Sequence, residues 1–458
     1  MTTTAAPTAA ATRPRTRRGR WIEHWEPEDP RFWEETGRGV ARRNLAVSVL
    51  TEHVGFSVWT LWSVLVLFLG KDYGFAPEQK FLLTTVPALV GSVLRLPYTL
   101  AVARFGGRTW TVASALLLLV PSVAAAVVLE PGVGFGTLLV VAALAGVGGG
   151  NFASSMANIN AFYPQRLKGR ALGINAGGGN VGVATVQLAG LAVLAVLGVH
   201  HPRALLGIYL PLVVVGAVLA ALLMDNLATA RNDTEAMRLV LREPHAWVLS
   251  LLYVGTFGSF IGFGFAFGQV LQVQFGDRFA TPVDAAYLTF LGPLIGSLIR
   301  PVGGWFADRW GGARTTVATF MAMAAAGLLV LLASREESLA LFVTAFVVLF
   351  ALSGIGNGST YAMIPAVFAA RAGAAVAGGS DESSEKTMAQ RLSGALIGIA
   401  GAVGAFGGVL VNLAFRQSFL TTHRGDAAYA AFVVAYLVGA AMTWTVYVRR
   451  SPRRLAGV

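Results

Sequence analysis

The sequence predicts an all-α membrane protein with about twelve transmembrane helices in two pseudo-symmetric six-helix halves. Its composition is the first observation: 55% of the 458 residues are hydrophobic, 13% are charged, and the mean hydropathy is +0.64. Soluble proteins carry about 25% charged residues. The second observation is that apolar runs of about 20 residues, long enough to cross a bilayer, recur along the chain. The third is an internal repeat, in which motifs of the first half return about 205 positions later.

The apolar runs define the predicted spans and domains. In the first half they lie at roughly 44–69, 79–101, 109–129, 135–160, 169–197 and 204–224. In the second half they lie at roughly 246–272, 284–307, 315–333, 339–366, 392–415 and 428–448. The predicted domains are a cytoplasmic N-terminal tail at 1–43, an N-terminal half at 44–224, a cytoplasmic linker at 225–245, a C-terminal half at 246–448 and a cytoplasmic tail at 449–458.

Lysine and arginine are distributed unevenly among the predicted loops. Most of the 35 Lys and Arg residues lie in the two tails, in the linker and in every second loop. Cytoplasmic loops of membrane proteins carry this excess. We therefore expect both termini to be cytoplasmic and the chain to lie in the lipid bilayer of the cell membrane, plasma or inner. The net charge of +12 follows from this topology, so we expect no nucleic-acid partner.

The sequence contains no cysteine. This excludes a disulfide framework, a thiol nucleophile and any metal held by cysteine. We expect no cofactor, no metal and no catalytic residue, so the chain is predicted not to be an enzyme. We also expect a monomer.

Two nearly identical pentapeptides mark the repeat. The stretches 91–95, GSVLR, and 296–300, GSLIR, each place an arginine inside an apolar run. An ionisable residue within a membrane helix is expensive to hold, so Arg95 and Arg300 are candidate functional residues. Their planar forks suit planar oxyanions. Of the 23 carboxylates, all except Glu52 fall in predicted tails, loops or helix ends, so the arginines predict a net positive site for a small anion. The alternative is a structural pair that bonds backbone carbonyls or snorkels.

Glycine- and asparagine-rich tracts recur at matching places in the two halves. The stretches 146–152 and 354–359 lie in predicted spans 4 and 10, and 175–180 and 401–408 lie in spans 5 and 11. Glycine lets membrane helices approach closely. The tracts predict either moving joints or static packing, and their asparagines predict either anion donors or links between helices. The candidate gating glycines are Gly148, Gly149, Gly150, Gly177, Gly178, Gly356, Gly358, Gly404 and Gly407.

Longer motifs resemble those of a known family. The stretch 148–164, GGGNFASSMANINAFYP, resembles the nitrate signature of the nitrate/nitrite porter family, the NarK-like branch of the major facilitator superfamily. The stretch 356–361, GNGSTY, resembles its second copy. The stretches 25–33, 171–175 and 253–262 are also similar, so the resemblance covers essentially the whole chain. It implies the major facilitator fold and secondary active transport of nitrate, and of nitrite, by alternating access.

The resemblance also implies roles for individual residues. The substrate-binding residues would be Arg95, Arg300, Asn175, Tyr253, Phe152 and Phe257. In this set the arginines would hold the anion between the halves, the phenylalanines would sandwich it, and the tyrosine and asparagine would hydrogen-bond it. The gating glycines would be rocking contacts between the two halves.

Glu52 and His53 in the first predicted span depart from the apolar residues expected in exchanger-type members. Proton symport needs a titratable group in the membrane, and this pair supplies candidates for that coupling. We therefore expect nitrate, nitrite and protons as partners, with nitrate/proton symport as the mode. Nitrate/nitrite antiport, which needs no such group, is the alternative. A polar pair near a helix end is the structural interpretation.

Two other functions fit these features less well. An exporter of another small organic compound on the same superfamily fold would have a wide apolar cavity and acidic membrane residues for cations. The paired arginines count against it. A non-transporting membrane sensor would carry an appended signalling domain, for which neither predicted tail has room.

Overall fold

The structure, a computed structural model, describes residues 16–17 and 20–449. Within that part of the chain twelve helices are long and apolar enough to cross a membrane, as the sequence predicts. Spans 1 to 6 are Pro30–Phe68, Pro77–Phe105, Gly107–Val128, Phe135–Phe162, Gln165–Leu197 and Pro202–Leu223. Spans 7 to 12 are Pro244–Arg278, Asp284–Trp310, Gly312–Arg335, Leu339–Ala377, Glu382–Thr422 and Asp426–Val448. The fold is all-α, with six spans in each half.

Several spans extend beyond the apolar runs. Span 1 begins at Pro30 rather than near residue 44, span 10 runs on to Ala377, and span 11 begins at Glu382. Span 11 has 41 residues, a length of about 60 Å, whereas the hydrocarbon core of a bilayer is about 30 Å thick. Hydropathy misses the added ends of spans 1 and 11 because they are polar. Span 11 begins where Asp381 accepts a hydrogen bond from the backbone amide of Ser384 at 2.8 Å, as an N-cap does.

A small sheet joins the N-terminal segment to the linker. Strand β2 (Trp21–Ile22) pairs antiparallel with β1 (Thr16–Arg17) and parallel with β3 (Asn226–Leu227), which follows span 6. The buried Asp225 accepts a hydrogen bond from Arg43 Nη2 at 2.6 Å. This segment therefore lies at the end of the molecule where the linker lies, here called the linker side. Of the predicted C-terminal tail, only residue 449 falls within the described residues.

The two halves are in contact at the side opposite the linker. Phe81 of span 2 stacks on Phe415 and Phe419 of span 11, with ring centroids 6.1 and 5.4 Å apart. Gln269 Nε2 of span 7 donates to the carbonyl oxygen of Pro77 at 2.7 Å. These contacts join elements of different halves, so the molecule is closed at that side.

Glycines set the distance between helices within each half. A Cβ added to Gly303 of span 8 would lie 2.0 Å from the carbonyl oxygen of Ile355 in span 10. Real Cβ atoms do not approach an oxygen so closely, so spans 8 and 10 pack backbone against backbone here. The next residue, Gly304, would meet nothing within 4 Å. The two neighbouring glycines are therefore a matched pair, one in a tight helix contact and one in open space.

The substitution Gly303→Ala is expected to destabilise the protein by about 1–3 kcal/mol, because overpacking forces the helices apart. Gly304→Ala is the control and is expected to leave stability unchanged or slightly raised. The measurement is the thermal unfolding midpoint of each purified variant in detergent. Equal midpoints for the two variants would contradict the close approach of spans 8 and 10.

Candidate functional site

A cavity of about 250 Å³ lies between the two halves. Its inner wall includes Phe152 from span 4, Tyr361 from span 10 and Gly401 from span 11. Its mouth is lined by Asp233 of the linker and Arg391 of span 11. Because the halves touch at the opposite side, this cavity opens toward the linker side. Both predicted arginines lie close to its inner end.

Arg95 is completely buried at the inner end of the cavity. Its guanidinium carbon lies 4.5 Å from the ring centroid of Phe152 and 5.1 Å from that of Phe257. Its Nη1 donates to the carbonyl oxygen of Gly401 at 2.7 Å, a bond that crosses from one half to the other. Its Nε and Nη2 have no hydrogen-bond partner among the described residues. A buried charge held by one carbonyl and by aromatic rings retains unused donor capacity.

Arg300 occupies the corresponding place in the second half. Its Nη2 donates to the hydroxyl oxygen of Tyr253 at 3.1 Å, and its guanidinium carbon lies 5.4 Å from the ring centroid of Tyr361. Its Nη1 has no hydrogen-bond partner in the part of the chain that the structure describes. The two halves therefore each contribute one buried guanidinium with free N–H groups.

Tyr253 and Phe257 are brought together by a π-helical turn at Val254–Gly258 in span 7. Their rings stack with centroids 5.1 Å apart and planes 5° apart. Such turns insert one extra residue per turn and are frequent at functional sites. Phe257 and Phe152 form a second pair, 6.1 Å apart, across the halves. In this conformation both phenylalanine rings lie against the guanidinium of Arg95, and their predicted sandwich around an anion stays a prediction.

Asn175 is bound to a carboxylate in this structure. Its Nδ2 donates to Glu52 Oε2 at 2.6 Å and also contacts the hydroxyl of Ser155, which donates to the same carboxylate oxygen. Glu52 Oε1 has no partner among the residues described. Glu52 is buried and lies within electrostatic reach of both Arg95 and Arg300. The carboxyl group is therefore close enough to interact with the charge of both arginines, whereas the role of Asn175 in binding the anion stays a prediction.

His53 is placed differently from Glu52. Its Nδ1 lies 3.1 Å from the carbonyl oxygen of Gly178 in span 5, so in the tautomer with a proton on Nδ1 the ring donates to that carbonyl. The hydrogen bond ties span 1 to span 5 inside one half. Of the predicted pair, Glu52 is the member that lies within electrostatic reach of the arginines.

The predicted gating glycines make their close contacts within one half. A Cβ on Gly149 would lie 2.7 Å from Gly91 Cα, and one on Gly407 would lie 2.7 Å from the carbonyl oxygen of Val254. The same holds for Gly148, Gly150, Gly178, Gly356, Gly358 and Gly404, whereas Gly177 would meet nothing within 4 Å. In this conformation these tracts therefore pack helices inside each half, and their predicted contacts between the rocking halves stay a prediction. A role in the transport movement stays a prediction.

Sequence reasoning missed several residues that the structure brings to the site. Trp59 lies with its ring centroid 5.4 Å from the guanidinium carbon of Arg95, and Gly401 accepts the hydrogen bond of that arginine. Ser155 binds the carboxylate of Glu52, and Tyr361 faces the other arginine. A signal was available for the last two, since they stand 206 positions apart at equivalent places in the repeated signature.

An ion-pair cluster connects the linker to the mouth of the cavity. Arg391 of span 11 donates from Nε and Nη2 to the two carboxylate oxygens of Asp233 at 2.6 and 2.9 Å, and from Nη2 to Glu235 at 2.7 Å. Asp233 also caps the linker helix Thr234–Val240 by accepting from the amide of Ala236 at 2.9 Å. The linker is therefore held against the second half beside the cavity mouth.

The sequence matches the family model described as Major Facilitator Superfamily over residues 53–412. It is 39% identical to the nitrate/nitrite transporter NarU of Salmonella typhimurium (strain LT2) over 94% of this chain and 97% of the relative. It is 32% identical to the probable nitrate/nitrite antiporter NarK2 of Thermus thermophilus over 95% and 98%. The solved structure of the xylose transporter XylE from E. coli superposes with a TM-score of 0.64 at 13% identity, covering 89% of this chain and 98% of that one.

Acidification is expected to release the linker. The Arg391 guanidinium holds the pKa of Asp233 below its ordinary value of 3.8, so the ion pair persists at neutral pH and is lost only as the pH falls through that lowered pKa. The chain has no cysteine, so a single cysteine at Arg238 can carry a nitroxide label. Its mobility, measured by electron paramagnetic resonance, should be low at pH 7 and rise in strong acid.

Asp233→Asn should raise the mobility of the same label already at pH 7, because asparagine keeps the helix cap but loses the charge-assisted bonds. Asp381→Asn is the matched control, since Asp381 caps span 11 through Ser383 and Ser384 and its hydrogen bonds do not reach the linker helix. A label whose mobility follows neither pH nor Asp233→Asn would show that the ion pair does not hold the linker.

Proposed function

The chain belongs to the Major Facilitator Superfamily and, within it, to the nitrate/nitrite porter family, and from that membership and the cavity described above we propose that it carries nitrate and nitrite across a membrane. It is a membrane transporter and not an enzyme. Its relatives are named nitrate/nitrite transporters or antiporters. The substrate would enter the cavity and bind between Arg95 and Arg300.

The observation that carries this proposal is the unused donor capacity of the two buried arginines. Arg95 keeps two guanidinium nitrogens and Arg300 keeps one without a partner among the described residues. Unpaired buried charge is costly, and one nearby carboxylate cannot neutralise two guanidinium groups. A small monoanion supplies the missing charge and accepts the free N–H groups. Nitrate and nitrite are planar, and the planar guanidinium fork matches them.

The arrangement of the halves supports alternating access. The cavity is open at the linker side, and the opposite side is closed by Phe81 against Phe415 and by Gln269 against the carbonyl of Pro77. Binding between two such halves near the middle of the membrane is characteristic of secondary transporters. The linker side would be the cytoplasmic side, because Lys and Arg are concentrated there. Both termini would then be cytoplasmic, in the cell membrane, with the transporter acting as a monomer.

Glu52 would couple transport to protons. In the empty carrier its carboxylate lies within reach of both arginines and serves as their internal counter-ion. When nitrate arrives it takes over that role, and the carboxylate then takes up a proton because it has lost its share of the positive charge. The hydroxyl of Ser155 and the amide of Asn175 hold the carboxylate in place through this exchange. One nitrate and one proton would thus cross together.

The antiport alternative also has a structural argument. If Glu52 stayed protonated throughout, the empty carrier would have two unneutralised guanidinium groups, and it would change conformation only with an anion bound. Nitrite would then have to return for each nitrate carried. An exporter of another organic compound is disfavoured, since a cavity of about 250 Å³ is at or below the small end of pockets that take drug-sized ligands.

Arg95→Lys and Arg300→Lys are each expected to reduce nitrate uptake at least about tenfold, because an ammonium group cannot reproduce the bidentate bonds of a guanidinium and a hydrogen bond to a charged group contributes about 1.5–3 kcal/mol. The measurement is uptake of labelled nitrate by proteoliposomes. Arg203→Lys, in a half-exposed ion pair with Glu130 at the opposite side, is the control that should transport normally. Normal uptake by either site variant would overturn the assignment of the anion site.

Symport predicts that nitrate uptake into empty proteoliposomes follows an imposed pH gradient, acid on the substrate side. Glu52→Gln should abolish that dependence, since the amide cannot take up a proton, and Glu130→Gln should not. Uptake that ignores the gradient but appears when nitrite is loaded inside would instead identify an exchanger. The same vesicles serve for both measurements, so the two modes are compared directly.

A further inference from the structure

Tyr361 has a hydroxyl that the structure leaves without a partner. The hydroxyl is buried and forms no hydrogen bond with any residue that the structure describes. Its ring lines the cavity between the halves and stands 5.4 Å from the guanidinium carbon of Arg300. Leaving a buried hydroxyl unpaired costs about 1–3 kcal/mol, so an unpaired group in a native site calls for an explanation.

The surroundings of this hydroxyl favour an anion. Tyr361 lies within electrostatic reach of both Arg95 and Arg300 and of Glu52, so a group placed before it faces two guanidinium groups and one carboxyl group. Asn357, one turn earlier on the same face of span 10, is also buried, and neither atom of its amide has a partner among the described residues. Span 10 thus presents two buried polar groups whose hydrogen-bonding capacity is not used by the protein itself.

The internal repeat shows what the equivalent position does in the other half. Ser155 stands 206 positions before Tyr361, and its hydroxyl donates to the carboxylate of Glu52. A Cβ added to Gly179 of span 5 would meet Glu52. A Cβ added to Gly404, at the matching place in span 11, would meet Tyr253. Tyr253 is therefore the equivalent of Glu52 in the second half. The second half therefore keeps the hydroxyl donor and lacks the carboxylate that would accept from it.

We propose that the Tyr361 hydroxyl donates a hydrogen bond to the transported anion and discriminates nitrate from nitrite. The inference rests on the proposed function of the same cavity. Nitrate has three oxygen atoms and nitrite has two. Two guanidinium forks engage two oxygen atoms of either anion, and the third oxygen of nitrate is then the acceptor for the phenol. The phenol therefore donates a hydrogen bond to nitrate and none to nitrite, so it sets the relative affinity for the two anions.

The test is Tyr361→Phe, which removes the hydroxyl and keeps the ring against Arg300. Binding of nitrate and of nitrite is measured separately on purified protein by isothermal titration calorimetry. Nitrate affinity should fall about tenfold or more, as expected for one hydrogen bond to a charged group, and nitrite affinity should change less than about twofold. The ratio of the two affinities is the decisive readout, because a merely structural effect on the cavity would weaken both anions together.

Tyr98→Phe is the matched control. Tyr98 is also a buried tyrosine whose hydroxyl has no partner within the described residues, but its ring packs edge-on against Trp110 at 4.9 Å. Its removal should leave both affinities unchanged. A wild-type protein that binds neither anion would refute the proposed function itself. Wild-type binding with an unchanged affinity ratio in Tyr361→Phe would refute the role of Tyr361 and leave the proposed function standing.

Discussion

The rest of the structure depends on two guanidinium groups that are buried in a membrane protein. Among the described residues they do not each have a carboxylate partner. Arg95 is stabilised by aromatic faces and by the carbonyl of Gly401, and Arg300 by the phenol of Tyr253. These neutral partners reduce the cost of burial without cancelling the charge, since cation–π contacts and carbonyl bonds leave net charge in place. In the proposed function a small anion completes this positive charge, and the helices around the arginines provide close packing and hydrogen-bond donors.

Much of this arrangement is visible in the sequence, because its causes are local. A run of about 20 apolar residues is long enough to span a bilayer whatever its neighbours are, so the number of spans and their order follow from hydropathy. An arginine inside such a run is conspicuous for the same reason. The ends of the helices are harder to predict from the sequence. The extension of span 11 back to Glu382 depends on a cap at Asp381 and on helix propensity in a polar segment, where hydropathy gives no signal.

The contacts within the site cannot be predicted from the sequence, because they depend on how each helix is rotated about its axis. Asn175 stands in a glycine- and asparagine-rich tract of the sequence. Which partner its amide meets is decided by the packing of span 5 against span 1, and there it meets Glu52. The glycine tracts likewise reveal that close approach occurs, but not which helix approaches. Gly149 meets Gly91 of its own half. The π-helical turn at Val254–Gly258 shifts the register of every residue beyond it, which no regular periodicity anticipates.

The repeat finally explains why the two halves are not equivalent. Span 1 carries an acid at Glu52 and span 7 carries a phenol at Tyr253, at places that Gly179 and Gly404 approach in the same way. A second acid at the latter position would give two carboxylates facing two arginines, a neutral set with no need of a substrate. Two phenols would leave the positive charge without any internal counter-ion. One acid and one phenol is the combination in which, under the proposed symport, the protein and the anion would take turns as counter-ion to the arginines, so the proposed coupling depends on this asymmetry between the halves.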